Sequence, residues 1–481
     1  MTPNSFAYIV FLVIGALIYH PLSQKAKKPF LLLLNFMFYA IGGVKFLPLL
    51  ALTVAFNFFA AQKLERTERK RGLLTLVLVL NLGALGLFKY LGFFGELLGC
   101  TGVQLSLPQL ALPIGISFYT FVICGYMIDV YRGREAERNF LDFALFTTFF
   151  PAILSGPIER SKSLLPQFKQ PRRANADDVR FAAERLIEGT VKKVLLADNL
   201  AILVNTAYAD PAQFSGLELA FAAVAYALQI YCDFSAYSDM AIGSARLFGI
   251  TLMENFHAPY MAQSSKEFWH RWHISLSTWF RDYIYIPLGG SYCSKKRQAF
   301  NMFVVWACTG MWHGAAWNFV VWGMWFYILL VGEKYLWGKG LGKMPAVFQH
   351  IYALLAAVIS WVFFRAPDLP YAFDYLKAMF SFGGTLTDSQ AVYYLLQYAP
   401  ELILCVIASI PVKKYAENAL RRRAGLDCGP DSAAGGEERL GRNAAAFLLT
   451  WGPKILALCL LMLSYTELVT GSFNPFIYFR F

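Results

Sequence analysis

One histidine of the sequence, His313, lies deep inside an apolar run, in the stretch TGMWHGAAWN. Histidine titrates near neutral pH, so it can remove the proton of an alcohol as that alcohol attacks an acyl carbonyl. The oxyanion formed in the attack needs hydrogen-bond donors, and the Trp312 indole, the Asn318 amide and the Gly314 backbone N–H are candidates. A lone buried histidine is more often a satisfied core residue. The apolar setting and a cavity predicted below favour catalysis here.

A second polar stretch, KEFWHRWHISLSTWFRDYIYIPLGG at 266–290, mixes aromatic and basic residues, which is typical of a helix lying at a membrane interface. We predict that one such helix is anchored at headgroup level by four aromatic residues, Trp269, Trp272, Trp279 and Phe280. His270 and His273 are three apart, so both could face one site. The stretch contributes five candidate site residues: His273, Arg271, Ser277, Arg281 and Asp282.

A third stretch, QIYCDFSAYSD at 229–239, places two carboxylates in an otherwise apolar helix. Ionisable groups inside a membrane are costly and need partners. Two interpretations remain open: a structural hydrogen-bond network that fixes helix packing, or residues lining a reaction cavity. The candidates are Asp233, Ser235, Tyr237 and Asp239.

Other kinds of chemistry have no support in the motifs. The sequence contains no G-x-S-x-G elbow, no P-loop and no G-x-G-x-x-G after a strand. Its eight cysteines show neither CxxC nor Cys/His ligand spacing, so neither a zinc site nor a disulfide framework is indicated. We therefore predict no metal and no bound cofactor.

Composition indicates which elements must position these residues. The 481-residue chain is 57% hydrophobic and 15% charged, and its mean hydropathy is +0.46. A soluble domain carries roughly 25% charged residues, so lipid is the expected solvent. We attribute the net charge of +12 to loops kept on the cytoplasmic side, not to nucleic-acid binding.

Apolar runs recur along the whole chain and predict an all-α, multi-pass membrane protein that forms a single domain over 1–481. We predict that the first run is a membrane helix and not a cleaved signal peptide, since no basic residue precedes it and no cleavage site follows. The motifs fall in a core at about 111–332. The predicted runs are 5–20, 29–43, 46–61, 72–91, 111–131, 140–157, 194–208, 217–242, 299–312, 314–332, 349–365, 393–411 and 446–468.

Basic residues collect in four segments, 21–28, 62–71, 159–193 and 412–442, whereas 92–112 and 209–217 hold none. The positive-inside rule places those four in the cytoplasm and the N-terminus outside. Segment 412–442 includes a low-complexity stretch and is predicted to be a flexible cytoplasmic loop.

Two runs, 140–157 and 299–332, carry basic residues on both flanks, which a simple crossing does not explain. We predict that both are re-entrant. Irregular backbone at membrane depth is tolerated only around protein or a watery cavity. The chain is therefore expected to enclose a central cavity that opens to the cytoplasm, with His313 at the tip of the second hairpin.

These motifs together resemble the membrane-bound O-acyltransferase family, in its alginate and peptidoglycan O-acetyltransferase branch. The likeness covers most of the chain in order, and the joint occurrence of long motifs is highly specific. It rests on LPIGISFYTFVICGYMIDVYRG, SGPIERSKSLLPQF, QIYCDFSAYSDMAIG, ENF through PY, EFWHRWHISLSTWFRDYIYIPLGG, MWHGAAWNF and the closing FIYFRF.

The resemblance implies a helical fold with re-entrant helices around a central tunnel, in a bacterial cytoplasmic (inner) membrane. It implies that His313 is the catalytic histidine of the Trp-His-Gly motif and that His273 is a second catalytic histidine. The donor would be acetyl-CoA or another acyl thioester, and the acceptor an extracytoplasmic polysaccharide, reached through an SGNH-hydrolase-type acetyltransferase partner. Basic residues that could meet the phosphates of CoA, or simply follow the positive-inside bias, are Arg160, Lys162, Lys192, Lys193 and Lys295.

Two alternatives remain open at this point. Within the class, the chain could be a teichoic-acid D-alanyl transferase, although YIPLGG favours the acetylating branch. In another class, it could be a polysaccharide flippase or transporter, which would need no irreplaceable histidine.

Overall fold

The computed structural model describes residues 3–99, 108, 110–381, 389–411, 452, 454–468 and 476, and every regular element within them is helical. The predicted all-α class is confirmed. The loop predicted at 412–442 lies outside the described residues, and the single domain over 1–481 stays a prediction.

Four helices open the chain, and the second and third follow each other almost without a break through one 3₁₀ turn, Val44–Phe46. Large apolar side chains on these helices face outward; Leu17 is 71% exposed and Leu52 is 68% exposed. Such a surface suits lipid and not water. The helices are α1 (Phe6–Tyr19), α2 (Gln24–Gly43), α3 (Leu47–Arg66) and α4 (Lys70–Gly99).

Helix length agrees with a membrane-spanning protein. In the described part of the chain, four helical stretches are long and apolar enough to cross a bilayer. About 20 residues at 1.5 Å each span the roughly 30 Å hydrocarbon core. The chain is therefore a multi-pass membrane protein, as predicted. The stretches are Gln24–Arg66, Lys70–Phe93, Gly216–Leu247 and Ala346–Arg365.

The next part of the chain contains shorter helices that pack inside the protein. The helix in the run 140–157 has nine residues, Phe140–Thr148, and is capped by the Asn139 side chain. Nine residues span only about 13 Å, so this helix cannot cross the bilayer alone, in keeping with a re-entrant element. The helices are α5 (Ile116–Tyr131), α6 (Phe140–Thr148), α7 (Ser161–Lys169), α8 (Ala176–Val191) and α9 (Asp198–Ala209), with a π-helical turn at Lys192–Ala197.

The 32-residue helix α10 (Gly216–Leu247) is the centre of the fold. A capping box formed by Ser215 and Glu218 starts it, and all residues from 225 to 245 are buried. A helix buried on every side belongs in the core of a large protein. Helix α8 lies close against it: a Cβ on Gly189 would come within 2.7 Å of the Ala236 carbonyl oxygen.

The stretch 266–286 is not one interfacial helix, so that prediction was wrong. It forms α11 (Ser265–Arg271) and α12 (Ile274–Phe280), followed by a π-helical turn at Arg281–Tyr285. The break at Trp272–His273 turns α12 away from α11, so that both pack their apolar faces into the protein. The four predicted headgroup anchors are accordingly buried, none of them more than 7% exposed.

Two 19-residue helices, α13 (Lys295–His313) and α14 (Trp317–Tyr335), form a tight hairpin. Its close approach needs glycine: a Cβ on Gly310 would lie 2.5 Å from the Phe319 carbonyl oxygen, and one on Gly323 would lie 2.4 Å from the Trp306 carbonyl oxygen. Whether this hairpin is re-entrant stays a prediction. The remaining helices are α15 (Gly338–Leu341), α16 (Ala346–Arg365), α17 (Leu369–Met379), α18 (Ser389–Gln397), α19 (Ala399–Ser409) and residues 454–468.

Candidate active site

His313 is the last residue of α13, at the tip of the hairpin, and is only 5% exposed. Its ring packs edge-on against Trp322 of α14 and Phe364 of α16, with centroid distances of 4.8 and 5.1 Å. The adjacent Trp312 ring lies 4.8 Å away. The imidazole is therefore enclosed by aromatic side chains from three helices and does not face lipid.

Helix α4 holds the end of the hairpin in place. The Lys89 ammonium donates hydrogen bonds to the backbone carbonyls of Trp312, at 2.5 Å, and His313, at 2.9 Å. The Tyr90 hydroxyl donates to the Met311 carbonyl. The last four carbonyls of a helix have no partner within it. Three of them are satisfied here by one neighbouring helix, which fixes where the His313 ring sits.

His273 occupies the break between α11 and α12, in the left-handed region at φ 45° and ψ 53°. Such a conformation is uncommon for a residue with a side chain and costs about 1–3 kcal/mol. Asn255 secures it: its side-chain oxygen accepts from the Ser275 N–H and hydroxyl, and its backbone carbonyl accepts from the Ile274 N–H. The imidazole is 1% exposed.

The same asparagine selects the tautomer of His273. Asn255 Oδ1 lies 3.2 Å from His273 Nδ1, while the Asn255 amide nitrogen donates to the Ser238 hydroxyl. Because that oxygen can only accept, Nδ1 carries the proton and Nε2 of the neutral ring keeps its lone pair. His273 is thus held as a hydrogen-bond acceptor at Nε2.

The two histidines belong to one site through Trp312. The Trp312 ring lies 6.3 Å from the His273 ring and 4.8 Å from the His313 ring, measured between centroids. Phe234 of α10 packs edge-on against His273 at 4.7 Å. Buried imidazoles contributed by two separate helix ends therefore share one aromatic wall.

A cavity of about 920 Å³ lies near this pair. Neither histidine lines it, but its wall includes Ile274, the residue after His273, and Thr309. Thr309 precedes His313 by four residues, which is one helical turn on the same face. The cavity thus reaches the neighbourhood of both rings, at a volume suited to a small-molecule ligand.

Three exposed cations, Lys266, Arg281 and Lys334, line this cavity, which we call the basic cavity. Its acids are already engaged: Glu333 accepts from the backbone N–H groups at the start of α11, and Glu267 pairs with Arg271. Burial, followed by the charges of Lys266 and Arg281, lowers the pKa of His270. His270 and His273 therefore do not face one site, because His270 is exposed in the cavity and His273 is buried.

The polar residues of α10 favour the structural interpretation. Asp233 pairs with Lys193 at 2.6 Å, and Asp239 pairs with Lys192 at 2.7 Å and Arg185 at 3.0 Å. These pairs neutralise the intramembrane carboxylates. They also hold two lysines that we had considered for CoA phosphates, and Lys193 is only 1% exposed.

Two further candidates of α10 are also packed inside the protein. The Ser235 hydroxyl is buried and donates to the Cys232 carbonyl, whereas the buried Tyr237 ring packs edge-on against Phe476. Both residues therefore contribute to helix packing in this structure.

Three other candidates also make structural hydrogen bonds. The Arg160 guanidinium is buried and donates to the carbonyls of Ile158 and Ser275. The Asn318 amide donates to the carbonyls of Phe363 and Ala366 at the end of α16, so it is not an oxyanion donor in this structure. Arg271 is held by Glu267 and also donates to the His257 carbonyl.

The remaining candidates lie at or near the surface. Ser277 and Arg281 line the basic cavity, and Arg281 pairs with Asp282 at 2.8 Å. Lys162 and Lys295 are exposed and do not line it. In the described part of the chain, no group of three or more His, Cys, Asp or Glu side chains is arranged to hold a metal ion.

Three residues of the site, Lys89, Asn255 and Trp322, were not predicted as site residues. Lys89 had an available signal, a charge inside the apolar run 72–91, and such charges are functional candidates. Asn255 and Trp322 had none, because buried amides and aromatics are common in this chain. The indole N–H groups of Trp312 and Trp322 are both buried without an acceptor in the described part of the chain.

A multi-pass helical protein that buries two histidines against one tryptophan ring, near a basic cavity, has the features expected of a membrane acyltransferase. The chain belongs to the membrane-bound O-acyltransferase family, whose model matches residues 134–365. It is 35% identical to a probable alginate O-acetylase of Azotobacter vinelandii, over 99% of both chains. It is 32% identical to a peptidoglycan O-acetyltransferase of Helicobacter pylori, covering 83% of this chain and 86% of that protein.

Similarity to a teichoic acid D-alanyltransferase of Bacillus subtilis is more distant, at 28% identity over 52% of this chain and 66% of that protein. The full-length relatives are therefore on the O-acetylating side of the family. The chain is an O-acyltransferase, and this family membership implies an acyl donor as substrate.

Proposed function

We propose that this chain transfers an acetyl group from a thioester donor to a hydroxyl, for O-acetylation of a polysaccharide outside the cytoplasm. The observation that carries the proposal is the pair of buried histidines that share Trp312 beside the basic cavity. The full-length similarity to alginate and peptidoglycan O-acetylating enzymes supports the acetyl group and the type of acceptor.

In the proposed reaction, His313 accepts the proton of the acceptor hydroxyl while the oxygen of that hydroxyl attacks the thioester carbonyl. The new C–O bond forms, the C–S bond breaks, and the departing thiolate takes the proton back from His313. In the tautomer that Asn255 selects, Nε2 of His273 is the acceptor nitrogen, and it would accept a hydrogen bond from the same hydroxyl and orient it. The indole N–H groups of Trp312 and Trp322 are the proposed donors to the oxyanion.

The proposed donor is acetyl-CoA, which would enter through the basic cavity. In the described part of the chain, the one ion pair made by Lys266, Arg281 or Lys334 is that of Arg281 with Asp282. These side chains can therefore meet phosphate groups. Of our original basic candidates, Lys162 and Lys295 are exposed outside this cavity, and the other three are engaged in the interior. We expect Lys334→Glu to raise the KM for acetyl-CoA with little change in kcat, and Lys339→Glu, on the exposed helix nearby, to change neither.

We propose a bacterial cytoplasmic membrane, with the N-terminus outside, from the distribution of basic loops. In this orientation the acetyl group leaves on the outer face, where an SGNH-type acetyltransferase could pass it to the polymer. Cysteines introduced at 159–193 or 412–442 should resist an impermeant maleimide added to intact cells. External labelling of either segment would overturn the orientation.

The central test is the acetate content of the envelope polysaccharide in cells that produce each variant. His313→Ala and His273→Ala should abolish ester-linked acetate at normal protein level, whereas His257→Ala, on an exposed histidine, should retain it. Retained acetylation in both site variants would contradict the assignment. A transporter predicts continued polymer movement in the His313 variant, and a D-alanyl transferase predicts D-alanyl esters in the mass spectrum.

A further inference from the structure

A buried lysine outside the active site has no counter-ion among the residues that the structure describes. Lys27, in the first turn of α2, is 0% exposed, and its ammonium nitrogen has no hydrogen-bond acceptor in the described part of the chain. The nitrogen lies over the face of the Tyr19 ring, 4.9 Å from the ring centroid. The adjacent Lys28, by contrast, has its own carboxylate, Asp142, at 2.7 Å.

Within the described residues, the groups that interact electrostatically with Lys27 are cationic or can become so. Lys27 interacts electrostatically with Arg173, and His20 interacts with both. His20 donates from Nε2 to the Leu247 carbonyl at 2.8 Å, and its Nδ1 is buried with no hydrogen-bond partner among the described residues. Protonation of His20 would add a third donor to the ammonium and the guanidinium. Removing an ammonium from water costs several kcal/mol unless an anion compensates.

We call the group formed by Lys27, His20 and Arg173 the niche. Three separate parts of the chain build it where they meet at the end of α10. The Tyr19 ring packs against Phe248 at 5.2 Å, and the Arg172 side chain and carbonyl lie 3.0 Å from the position that a Cβ on Gly249 would take. The fold therefore holds these cations together. The end of α10 does not replace the missing anion, because His20 takes the Leu247 carbonyl and Lys27 makes no hydrogen bond to the helix.

We propose that Lys27, His20 and Arg173 bind the phosphate group of an anionic phospholipid. A phosphate offers several acceptor oxygens to converging ammonium, imidazolium and guanidinium donors. The last turns of α1 beside the niche expose Ile14, Leu17 and Ile18, by 52, 71 and 45%. A phosphate site flanked by an exposed apolar surface matches a lipid, whose chains would lie along α1.

The first measurement is the thermal unfolding midpoint of the purified full-length chain in neutral detergent, monitored by tryptophan fluorescence. The second is native mass spectrometry, which detects the lipid that the chain retains. Added phosphatidylglycerol should raise the wild-type midpoint, whereas phosphatidylcholine and inorganic phosphate should not. Lys27→Met should lose most of that rise and most of the retained phosphatidylglycerol. Without anionic lipid, the variant should unfold no earlier than the wild type, because it removes an uncompensated buried charge.

Lys25→Met is the matched control, since it removes the same charge from an exposed neighbour. Equal losses in both lysine variants would mean a general surface-charge effect and would overturn the proposal. A full lipid response in Lys27→Met, or a response to inorganic phosphate as large as that to the lipid, would overturn it as well. Arg173→Ala, at an exposed position, should reduce the rise and tests the niche even if the Lys27 variant does not fold.

Discussion

The link between Lys89 and the hairpin tip provides the sharpest test of how His313 is positioned. Lys89→Met removes the ammonium that bonds the Trp312 and His313 carbonyls but keeps an apolar side chain of similar length. Both carbonyls belong to the last turn of α13, where no backbone donor of the same helix can replace the lost bonds.

The expected magnitude follows from these two bonds. A hydrogen bond to a charged group contributes about 1.5–3 kcal/mol, so two would contribute about 3–6 kcal/mol before the cost of burying the ammonium is subtracted. The net loss should be about 2–4 kcal/mol and local to the tip, since α13 stays packed against α14 along its length. A shift of about 1 Å in the imidazole can cost on the order of 100-fold in rate. We therefore expect a loss of acetylation of about 10- to 100-fold.

The assay is acetate released by mild base from the envelope polysaccharide, normalised to the amount of chain in the membrane. Lys70→Met, at the first residue of the same helix, is the matched control and should retain activity. Wild-type acetylation in Lys89→Met at equal protein level would refute the reasoning. An equal loss in Lys70→Met would show that α4 tolerates no lysine change, and the effect could not be assigned to the tip.

Three further outcomes follow from the same structure. Asn255→Leu removes the acceptor that fixes the tautomer of His273, so kcat should fall about 10- to 100-fold, and the KM for the donor should not change. An unchanged kcat would contradict this role. Gly310→Ala places a methyl group 2.5 Å from the Phe319 carbonyl oxygen, so the thermal midpoint should drop, whereas Gly340→Ala, which meets nothing within 4 Å, should not lower it by the same route. The Arg172 guanidinium depresses the pKa of Asp178, so this pair stabilises the fold above about pH 4 and loses its effect as pH falls further; the midpoint of Asp178→Asn should depend less on pH in that range, and equal slopes would argue against it.

The local pattern of apolar and charged residues was sufficient to predict most of the helices and one catalytic candidate. Hydropathy and length predicted the crossings, and the charges flanking 140–157 predicted an element that does not cross, which agrees with the nine-residue α6. His313 was identified because its polar side chain interrupts an apolar run. These features depend on residues close together in the chain, which is why they can be inferred without a structure.

The prediction for 266–286 failed for a reason that local pattern cannot reveal. Its aromatic and basic mixture suits an interfacial helix, but Asn255 from another part of the chain holds His273 in a left-handed conformation and breaks the helix there. The aromatic residues then pack against α13, α14 and α16 instead of lipid headgroups. Sequence periodicity carries no information about such a partner.

By itself the sequence determined that this protein crosses a membrane as helices and carries a histidine within an apolar run, because hydrophobicity and charge act on each segment separately. Tertiary structure decided which polar groups are free for chemistry. Lys192 and Lys193 neutralise the carboxylates of α10. Lys89, which is 224 residues from His313 in the sequence, donates a hydrogen bond to the His313 backbone carbonyl. Every lysine carries the same charge, and only the surroundings that folding provides determine whether that charge is compensated, structural or available to a ligand.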